Sequence, residues 1–300
     1  MRKPPPLKAG QTIGVVAPAA ATDAVAVESG VRRLRQAGYR VCVGESVFRR
    51  AGYLAGTDRE RLDDLLQMFA DPDVRAIVCA RGGYGSGRLL PLLDAELEVA
   101  DPKILVGYSD LTFVLTYLTQ RCDLVAFHGP MVSDLESRPQ ALPELLSLLG
   151  GDRTGWSMSA ATIVEPGTAE GMLTGGCLSA LVAALGTPFE IATTGKLLFL
   201  EDVNEKPFRI DRMLTQLRQA GKLEDVVGVI FGEMPGCSAD PHESVKVIDV
   251  IRAQFASGGY PVAAGVPSGH GRGCATLPLG IRARLAGQQL TLLESPLSVG

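Results

Sequence analysis

The sequence predicts an α/β protein with an N-terminal parallel-sheet domain of the flavodoxin or Rossmann kind and a smaller, mixed α/β domain of the swivelling, partial-barrel kind. Two observations predict it. In the first half, short apolar runs alternate regularly with helical patterns, as parallel sheets covered by helices on both faces require. In the second half, strands and helices are mixed without that regular alternation.

The alternation of the first half can be followed along the chain. A β-rich run, QTIGVV, ends before Pro18, and apolar residues then recur near helical spacing from Asp23 to Ala37. The short strand RVCVGE and a second helix, capped by Thr57, follow. VRAIVCA and KILVGYS are continuous apolar runs typical of strands buried on both faces. Because chemistry in such sheets lies at the carboxyl ends of the strands, we expect the functional residues there.

The domain boundary is predicted from a loss of periodicity. The segment GDRTGWSMSAATIVEPGTAEG contains several turn formers and no helical pattern. We therefore assign 1–150 to the N-terminal domain, 151–170 to a linker and 171–300 to the C-terminal domain. The last contains strands such as KLLFLED and VVGVIFGEM and helices such as RIDRMLTQLRQAG.

Composition and charge exclude several classes of function. The 33 acidic and 29 basic residues are interspersed and give a formal charge of −4, so nucleic acid is not an expected partner. A proline run near the start replaces the apolar stretch of an export signal, and no apolar segment has the length of a membrane span. The six cysteines are scattered singly, which is typical of thiols in a reducing compartment such as the cytoplasm.

The segment KILVGYSDL contains the sharpest local feature, a serine between a buried strand and a helix. Such a tight turn would lift the hydroxyl of Ser109 above the sheet and direct backbone N–H groups at an oxyanion. The strict motif has glycine two residues after the serine, where this chain has Leu111. A structural alternative is that Ser109 only caps the helix, with Asp110 complementing the helix dipole.

A serine nucleophile needs a base, and the chain has three histidines. His242 lies in a polar stretch before a helix and is expected at the surface or at a cap. His128 ends a strand and is expected in the core or in the wall of a site. His270 lies in the glycine-rich GVPSGHGRG, where the backbone can approach a ligand or another segment closely. His270 is therefore the candidate base.

A carboxylate must orient that imidazole. Glu201 ends the apolar run KLLFLE, so it is expected at the carboxyl edge of a strand. Asp202 and Glu205 are the alternatives. Strand alternation predicts that Glu201 and Asp202 point in opposite directions.

The glycine-rich RGGYGSG, which follows the strand VRAIVCA, resembles a phosphate-binding loop only superficially. It matches neither G-x-x-x-x-G-K-[ST] nor G-x-G-x-x-G. Its backbone N–H groups are better candidates for an oxyanion hole beside the strand that carries Ser109. No set of His, Cys and carboxylate residues has the spacing of metal ligands, so we expect neither a metal nor a cofactor.

Segments along nearly the whole chain resemble the LD-carboxypeptidases, in the same order and at similar spacing. They are ARGGYGSGRLLPLLD, LVGYSDLT, FHGPM, GGCLSALVAALGTP, LFLEDVNEKPFRIDRML and GVPSGHG. The resemblance implies a two-domain serine peptidase whose Ser-His-Glu triad corresponds to Ser109, His270 and Glu201. It also implies an oxyanion hole formed by the backbone N–H groups of Gly83 and Asp110.

The resemblance further implies a cytoplasmic enzyme, often a homodimer, that removes D-alanine from the murein tetrapeptide during cell-wall recycling. A sub-group of the family instead cleaves peptide-nucleotide antibiotics of the microcin C kind, and that activity is the alternative. It would need an aromatic pocket, for which the single tryptophan, Trp156, is not an obvious candidate. A non-catalytic peptide- or nucleotide-binding protein is the alternative from another class.

Two features leave the substrate preference open. Cys177 stands in GGCLS, where the family resemblance leads us to expect asparagine. The terminal carboxylate of a substrate would need an arginine or a set of backbone donors. Arg81 and Arg88 are both near the glycine-rich loop, and the sequence does not distinguish them.

Overall fold

The computed structural model describes residues 1–151, 156–238, 245–256 and 258–298. These residues separate into two compact units. The first takes in the described residues up to 151, together with 275–278 and 295–298, and the second takes in the rest. Within the described ranges, no helix combines the length and the apolar character needed to cross a bilayer.

A parallel sheet with its connecting helices forms most of the first unit. Its elements up to residue 151 are β1 (Thr12–Val16), α1 (Ala24–Gln36), β2 (Arg40–Val43), α2 (Asp58–Ala70), β3 (Val74–Cys79), α3 (Leu90–Glu96), β4 (Ile104–Gly107), α4 (Thr112–Arg121), β5 (Ala126–His128) and α5 (Ala141–Leu149). The strands are parallel and lie in the order β2-β1-β3-β4-β5. This is the flavodoxin-like order, which reverses direction between β1 and β3, where such sheets bind ligands.

Local sequence signals account for the helices around this sheet. The carboxylate of Asp23 accepts hydrogen bonds from the backbone N–H groups of Val25 and Ala26 and so begins α1. Thr57 and Glu60 form a reciprocal capping box at the start of α2. The apolar runs predicted to be buried strands are β3 and β4, at the centre of the sheet. The predicted parallel-sheet domain is therefore confirmed.

The second unit is built on a mixed sheet. The remaining elements are β6 (Ser157–Ser159), β7 (Thr162–Glu165), β8 (Thr168–Cys177), α6 (Leu178–Ala183), β9 (Lys196–Glu201), α7 (Pro207–Gln219), β10 (Gly228–Glu233), α8 (Val247–Phe255), β11 (Val262–Gly269), β12 (Leu277–Leu279), β13 (Arg282–Ala286) and β14 (Gln289–Leu292). Among the described residues the sheet order is β6-β14-β13-β8-β9-β10-β11-β7, and β12 instead lies beside β5 in the first sheet. β11 also contacts β6 at the opposite edge, so the sheet curves into the predicted partial barrel.

The segment 151–170, expected to be a linker, contains two strands of this sheet. β6 pairs with β14 and β7 pairs with β11, both antiparallel. These strands are three and four residues long, too short to show a period in the sequence. Ser159 of β6 pairs with Gln289, and Ile163 of β7 pairs with Ala263. These partners are distant along the chain, so the pairing exists only in the tertiary structure.

An apolar cluster fixes two adjacent parallel strands of this sheet, β9 and β10. Leu200 and Phe231 are fully buried in the same cluster as Leu214 of α7 and Phe255 of α8. The rings of Phe231 and Phe255 meet edge to face, with centroids 5.5 Å apart. This packing holds the carboxyl end of β9, and therefore Glu201, at a fixed place in the sheet.

In the first unit, one buried arginine connects the loops that follow β1 and β3. The side chain of Arg61, on α2, is 0% exposed. Its guanidinium donates to the backbone oxygens of Pro18 and Gly85, the latter at 3.0 Å, and pairs with Asp58. Since Pro18 follows β1 and Gly85 follows β3, Arg61 ties together the two sides of the switch point.

Replacing Arg61 by methionine (Arg61→Met) should lower the free energy of unfolding by roughly 2–4 kcal/mol, because the buried carbonyls of Pro18 and Gly85 lose their donor. Urea unfolding followed by circular dichroism measures the change. Arg59→Met, on the same helix, is the matched control: the ion pairs of Arg59 are exposed and should contribute little. Equal stability of the two variants would contradict the role assigned to Arg61.

Candidate active site

Ser109 lies on a sharp turn between β4 and α4. Its φ of +63° places a non-glycine residue in the left-handed region, a conformation that persists only where surrounding structure enforces it. A single 3₁₀ turn, Ser109–Leu111, follows before α4 begins. The cap positions of this turn and of α4 are Tyr108 and Leu111, so Ser109 is not the helix cap that the structural alternative required.

The glycine-rich loop after β3 packs directly against this turn. A Cβ atom placed on Gly82 would lie 2.9 Å from Cβ and 3.1 Å from Oγ of Ser109, and 3.4 Å from the backbone nitrogen of Asp110. Only glycine allows so close an approach. Gly83, with φ of +102°, continues the loop. The two residues predicted to supply oxyanion N–H groups, Gly83 and Asp110, therefore lie on adjoining segments around Ser109.

The side chain of Asp110 holds the loop and the turn together. One carboxylate oxygen accepts a hydrogen bond from the backbone N–H of Ser86 at 2.8 Å, and the Ser86 hydroxyl donates to the backbone oxygen of Asp110 at 2.6 Å. Both residues are buried, so these bonds are shielded from competing water. The sequence pointed to the backbone of Asp110 but not to this side-chain contact, for which it contains no local signal.

In the second unit, Glu201 and His270 form a hydrogen-bonded pair. Nδ1 of His270 lies 2.6 Å from Oε2 of Glu201, and the backbone N–H of His270 donates to the same oxygen at 3.1 Å. Glu201 is 0% exposed. An ionised carboxylate only accepts hydrogen bonds, so with Glu201 ionised the ring proton lies on Nδ1, and Nε2 is the nitrogen that can take up a further proton.

The sheet brings these two residues together. Glu201 is the last residue of β9, and His270 directly follows β11, two strands away in the same sheet. Gly269 has φ of +103°, and a Cβ atom there would lie 2.5 Å from Oε2 of Glu201. Glycine at 269 therefore lets the backbone pass close enough for the N–H of His270 to reach the carboxylate.

Glu233, which the sequence analysis did not single out, braces the same loop. It ends β10, between the strands of Glu201 and His270. Its Oε2 accepts a hydrogen bond from the backbone N–H of Gly273 at 3.1 Å. The signal was present, because GVIFGE places a glutamate after an apolar run just as KLLFLE does.

Asp202 and Glu205, the alternatives to Glu201, have other contacts. The carboxylate of Asp202 accepts hydrogen bonds from the backbone N–H groups of Ser179 and Val203, at 2.8 and 2.9 Å. Burial raises the pKa of Asp202. Glu205 lies 3.5 Å from the guanidinium of Arg209. In the described structure, Glu201 is the carboxylate that contacts the ring of His270.

Cys177 is the cross-strand neighbour of Glu201 in the parallel pairing of β8 with β9. Its sulfur lies 3.3 Å from the hydroxyl of Ser179. Burial, together with the charges of Glu201 and Asp202, raises the pKa of the thiol well above its ordinary value. Cys177 is therefore a neutral thiol at neutral pH and a poor nucleophile.

His128 has a different environment from His270. His128 is buried at the end of β5, and its ring meets that of Tyr108 edge to face at 5.8 Å, which fits the expected core position. His242 lies outside the described residues. In the described part of the chain, no group of three or more His, Cys, Asp and Glu side chains is arranged to hold a metal ion.

Both units of the chain are similar to known proteins. The family model for the LD-carboxypeptidase N-terminal domain matches residues 13–129, and that for the LD-carboxypeptidase C-terminal domain matches 170–285. The chain is 39% identical to the probable murein peptide carboxypeptidase of Bacillus subtilis, over 99% of this chain and 96% of the relative. It is 34% identical to the murein tetrapeptide carboxypeptidase of Pseudomonas aeruginosa, over 93% and 94%.

A solved structure extends the similarity to the fold. The structure of MccF in complex with glutamyl sulfamoyl guanosine matches with a TM-score of 0.88, covering 99% of both chains at 21% identity. At that identity the match concerns the fold alone. It agrees with the two-domain α/β architecture described above.

Adding a methyl group at Gly82 (Gly82→Ala) should slow chemistry at Ser109 roughly 10- to 10²-fold, because the new Cβ would displace the serine side chain. Gly82 does not have a positive φ, so the effect would come from this contact and not from backbone strain. The rate at which a fluorophosphonate labels Ser109 measures it without a substrate.

Gly87→Ala is the control for the same loop. Its added methyl group would meet the ring of Phe113 at 3.3 Å instead of Ser109. The fluorophosphonate should therefore label Ser109 of the Gly87→Ala variant at close to the wild-type rate. Equal rates for Gly82→Ala and the wild type would show that the loop does not position the serine.

Proposed function

This chain belongs to the LD-carboxypeptidase family, and on that premise we propose that it is a serine carboxypeptidase acting on murein tetrapeptide. The proposed reaction is hydrolysis of the L,D-peptide bond before the C-terminal D-alanine. The names of the Bacillus and Pseudomonas relatives, both murein peptide carboxypeptidases, support this class of substrate.

The observation that carries the proposal is the hydrogen bond between Glu201 and His270. Orienting an imidazole through Nδ1, with Nε2 left to take a proton, is the role of the acidic member of a serine triad. A fully buried carboxylate is costly unless it is hydrogen-bonded. A reactive role for His270 accounts for both the burial and the two hydrogen bonds to one oxygen.

In the proposed mechanism, Ser109 Oγ attacks the carbonyl carbon that precedes D-alanine, and its proton passes to Nε2 of His270. The backbone N–H groups of Gly83 and Asp110 donate to the developing oxyanion. When the C–N bond breaks, Nε2 returns the proton to the departing amine of D-alanine. Nε2 then takes a proton from a water molecule that attacks the acyl-enzyme ester. The C–O bond to Ser109 breaks, Nε2 returns the proton to Oγ, and the shortened peptide is released.

Release of D-alanine from a synthetic murein tetrapeptide, detected by mass spectrometry, tests the reaction and its nucleophile together. Ser109→Ala should abolish turnover, a loss of roughly 10⁴-fold or more. Ser137→Ala, the same change at an exposed position of the first unit, should leave it unchanged. Undiminished release by folded Ser109→Ala would exclude Ser109 as the nucleophile.

The triad assignment makes a second prediction, at Glu201. Glu201→Gln keeps the size of the side chain but removes the charge that stabilises the imidazolium, so kcat should fall roughly 10²- to 10⁴-fold. Glu205→Gln, four residues later, should retain most of the activity. The same D-alanine assay distinguishes them, and the reverse ranking would transfer the role to Glu205.

The same assay separates the alternatives from other classes. Cleavage of a peptide-nucleotide amide in place of the tetrapeptide, still dependent on Ser109, would indicate the microcin-type activity. Failure to cleave either compound, with no labelling of Ser109 by a fluorophosphonate, would favour a binding protein without catalysis.

We also propose, as the family resemblance implies, that the enzyme acts as a homodimer in the cytoplasm during cell-wall recycling. Light scattering of the purified protein at micromolar concentration should give the mass of two chains. The mass of one chain would refute the homodimer without affecting the proposed chemistry.

A further inference from the structure

Arg81 projects a positive charge at the switch point of the first sheet. It lies in the loop after β3, next to Gly82 and Gly83, and its side chain is exposed. Nη1 donates to the backbone oxygen of Ala21, in the loop after β1, at 3.1 Å. The guanidinium thus bridges the two loops between which flavodoxin-like sheets bind ligands.

Gly82 and Gly83 lie between the guanidinium of Arg81 and the side chain of Ser109. A Cβ atom on Gly83 would lie 3.8 Å from Nη2 of Arg81, and one on Gly82 would lie 3.1 Å from Oγ of Ser109. The guanidinium and the hydroxyl therefore adjoin consecutive residues of one loop, whose Cα atoms are about 3.8 Å apart. In a peptide cut before its last residue, the terminal carboxylate is likewise one residue beyond the carbonyl that is attacked.

The neighbouring arginines of the first unit are already neutralised. Arg88 holds Asp58 through Nε and Nη2, at 3.0 and 2.8 Å, and these hydrogen bonds lower the pKa of Asp58. Arg61 is buried and shares the same carboxylate. Among the described residues, no carboxylate lies within ion-pair distance of Arg81, so its charge is available to a ligand.

We propose that Arg81 binds the free α-carboxylate of the substrate's C-terminal residue and thereby determines that the enzyme cleaves only the last bond. A guanidinium suits this task, because its planar set of donors matches the two oxygens of a carboxylate. The proposal rests on the carboxypeptidase function proposed above. It resolves the choice between Arg81 and Arg88 that the sequence left open.

The test compares two tetrapeptides that differ only in their C-terminus, one a free carboxylate and the other its amide. The wild type should favour the acid in kcat/KM by roughly 10²-fold or more, since the amide leaves the arginine unpaired. In Arg81→Gln this preference should fall to near unity, mainly through loss of activity on the acid. The matched variant Arg88→Gln should keep the wild-type preference. An unchanged acid preference in Arg81→Gln would overturn the proposal.

Two further measurements keep the result interpretable. Fluorophosphonate labelling of Ser109 at the wild-type rate would show that Arg81→Gln leaves the nucleophile in place. Calorimetry with the Ser109→Ala variant measures the affinity for each of the two peptides without any turnover. If the wild type cleaves neither peptide, the carboxypeptidase function fails. The role of Arg81 is then tested by binding alone: Ser109→Ala should bind the acid more tightly than the amide, and the double variant Ser109→Ala/Arg81→Gln should not. If Ser109→Ala shows no preference for the acid, or if the double variant keeps that preference, the role proposed for Arg81 is refuted.

Discussion

The left-handed backbone at Ser109 is the constraint on which the first unit's candidate site depends. A residue held in that region costs on the order of 1–3 kcal/mol, which its surroundings must offset. Here the offset comes from the buried hydrogen bonds between Asp110 and Ser86 and from the packing of Gly82 against the serine. The same contacts fix the glycine-rich loop, so that the hydroxyl, the backbone donors and Arg81 are positioned by one local arrangement.

In the second unit, two carboxylates hold the loop that carries His270. Glu201 and Glu233 end adjacent parallel strands. Both accept hydrogen bonds from backbone N–H groups of the loop after β11. Hydrogen bonds to a carboxylate are stronger than those between neutral groups. Two such anchors can therefore hold a loop in which glycine is frequent and intrinsic rigidity is low. His270 gains a fixed ring orientation from a segment that would otherwise be mobile.

The environment of Glu201 also affects the protonation of Cys177. The Cys177 thiol stays protonated, because burial disfavours its charged form and the carboxylates of Glu201 and Asp202 disfavour it further, so that its pKa is raised. The position that departs from the family resemblance thus adjoins the Glu201–His270 pair through the sheet.

The alternation of strands and helices in the first unit could be predicted from the sequence, because it depends on local periodicity and on caps such as Thr57. So could the pairing of Glu201 with His270, since parallel strands place their carboxyl ends at one edge of a sheet. The strands within 151–170 could not, because each is too short to show a period and pairs with a distant strand. Neither could the buried contacts of Arg61 and of the Asp110 side chain, because polar groups from distant segments meet there.

The sequence by itself therefore determined which residues carry reactive groups and which elements present them, since both follow from residue type and local spacing. Only the tertiary structure decided how those groups are held. The left-handed turn at Ser109, the buried contacts of Arg61 and the bracing of the His270 loop by Glu233 all depend on hydrogen bonds and close contacts between segments far apart in the chain. No pattern within a single segment specifies contacts of that kind, because their geometry exists only once the sheets have formed.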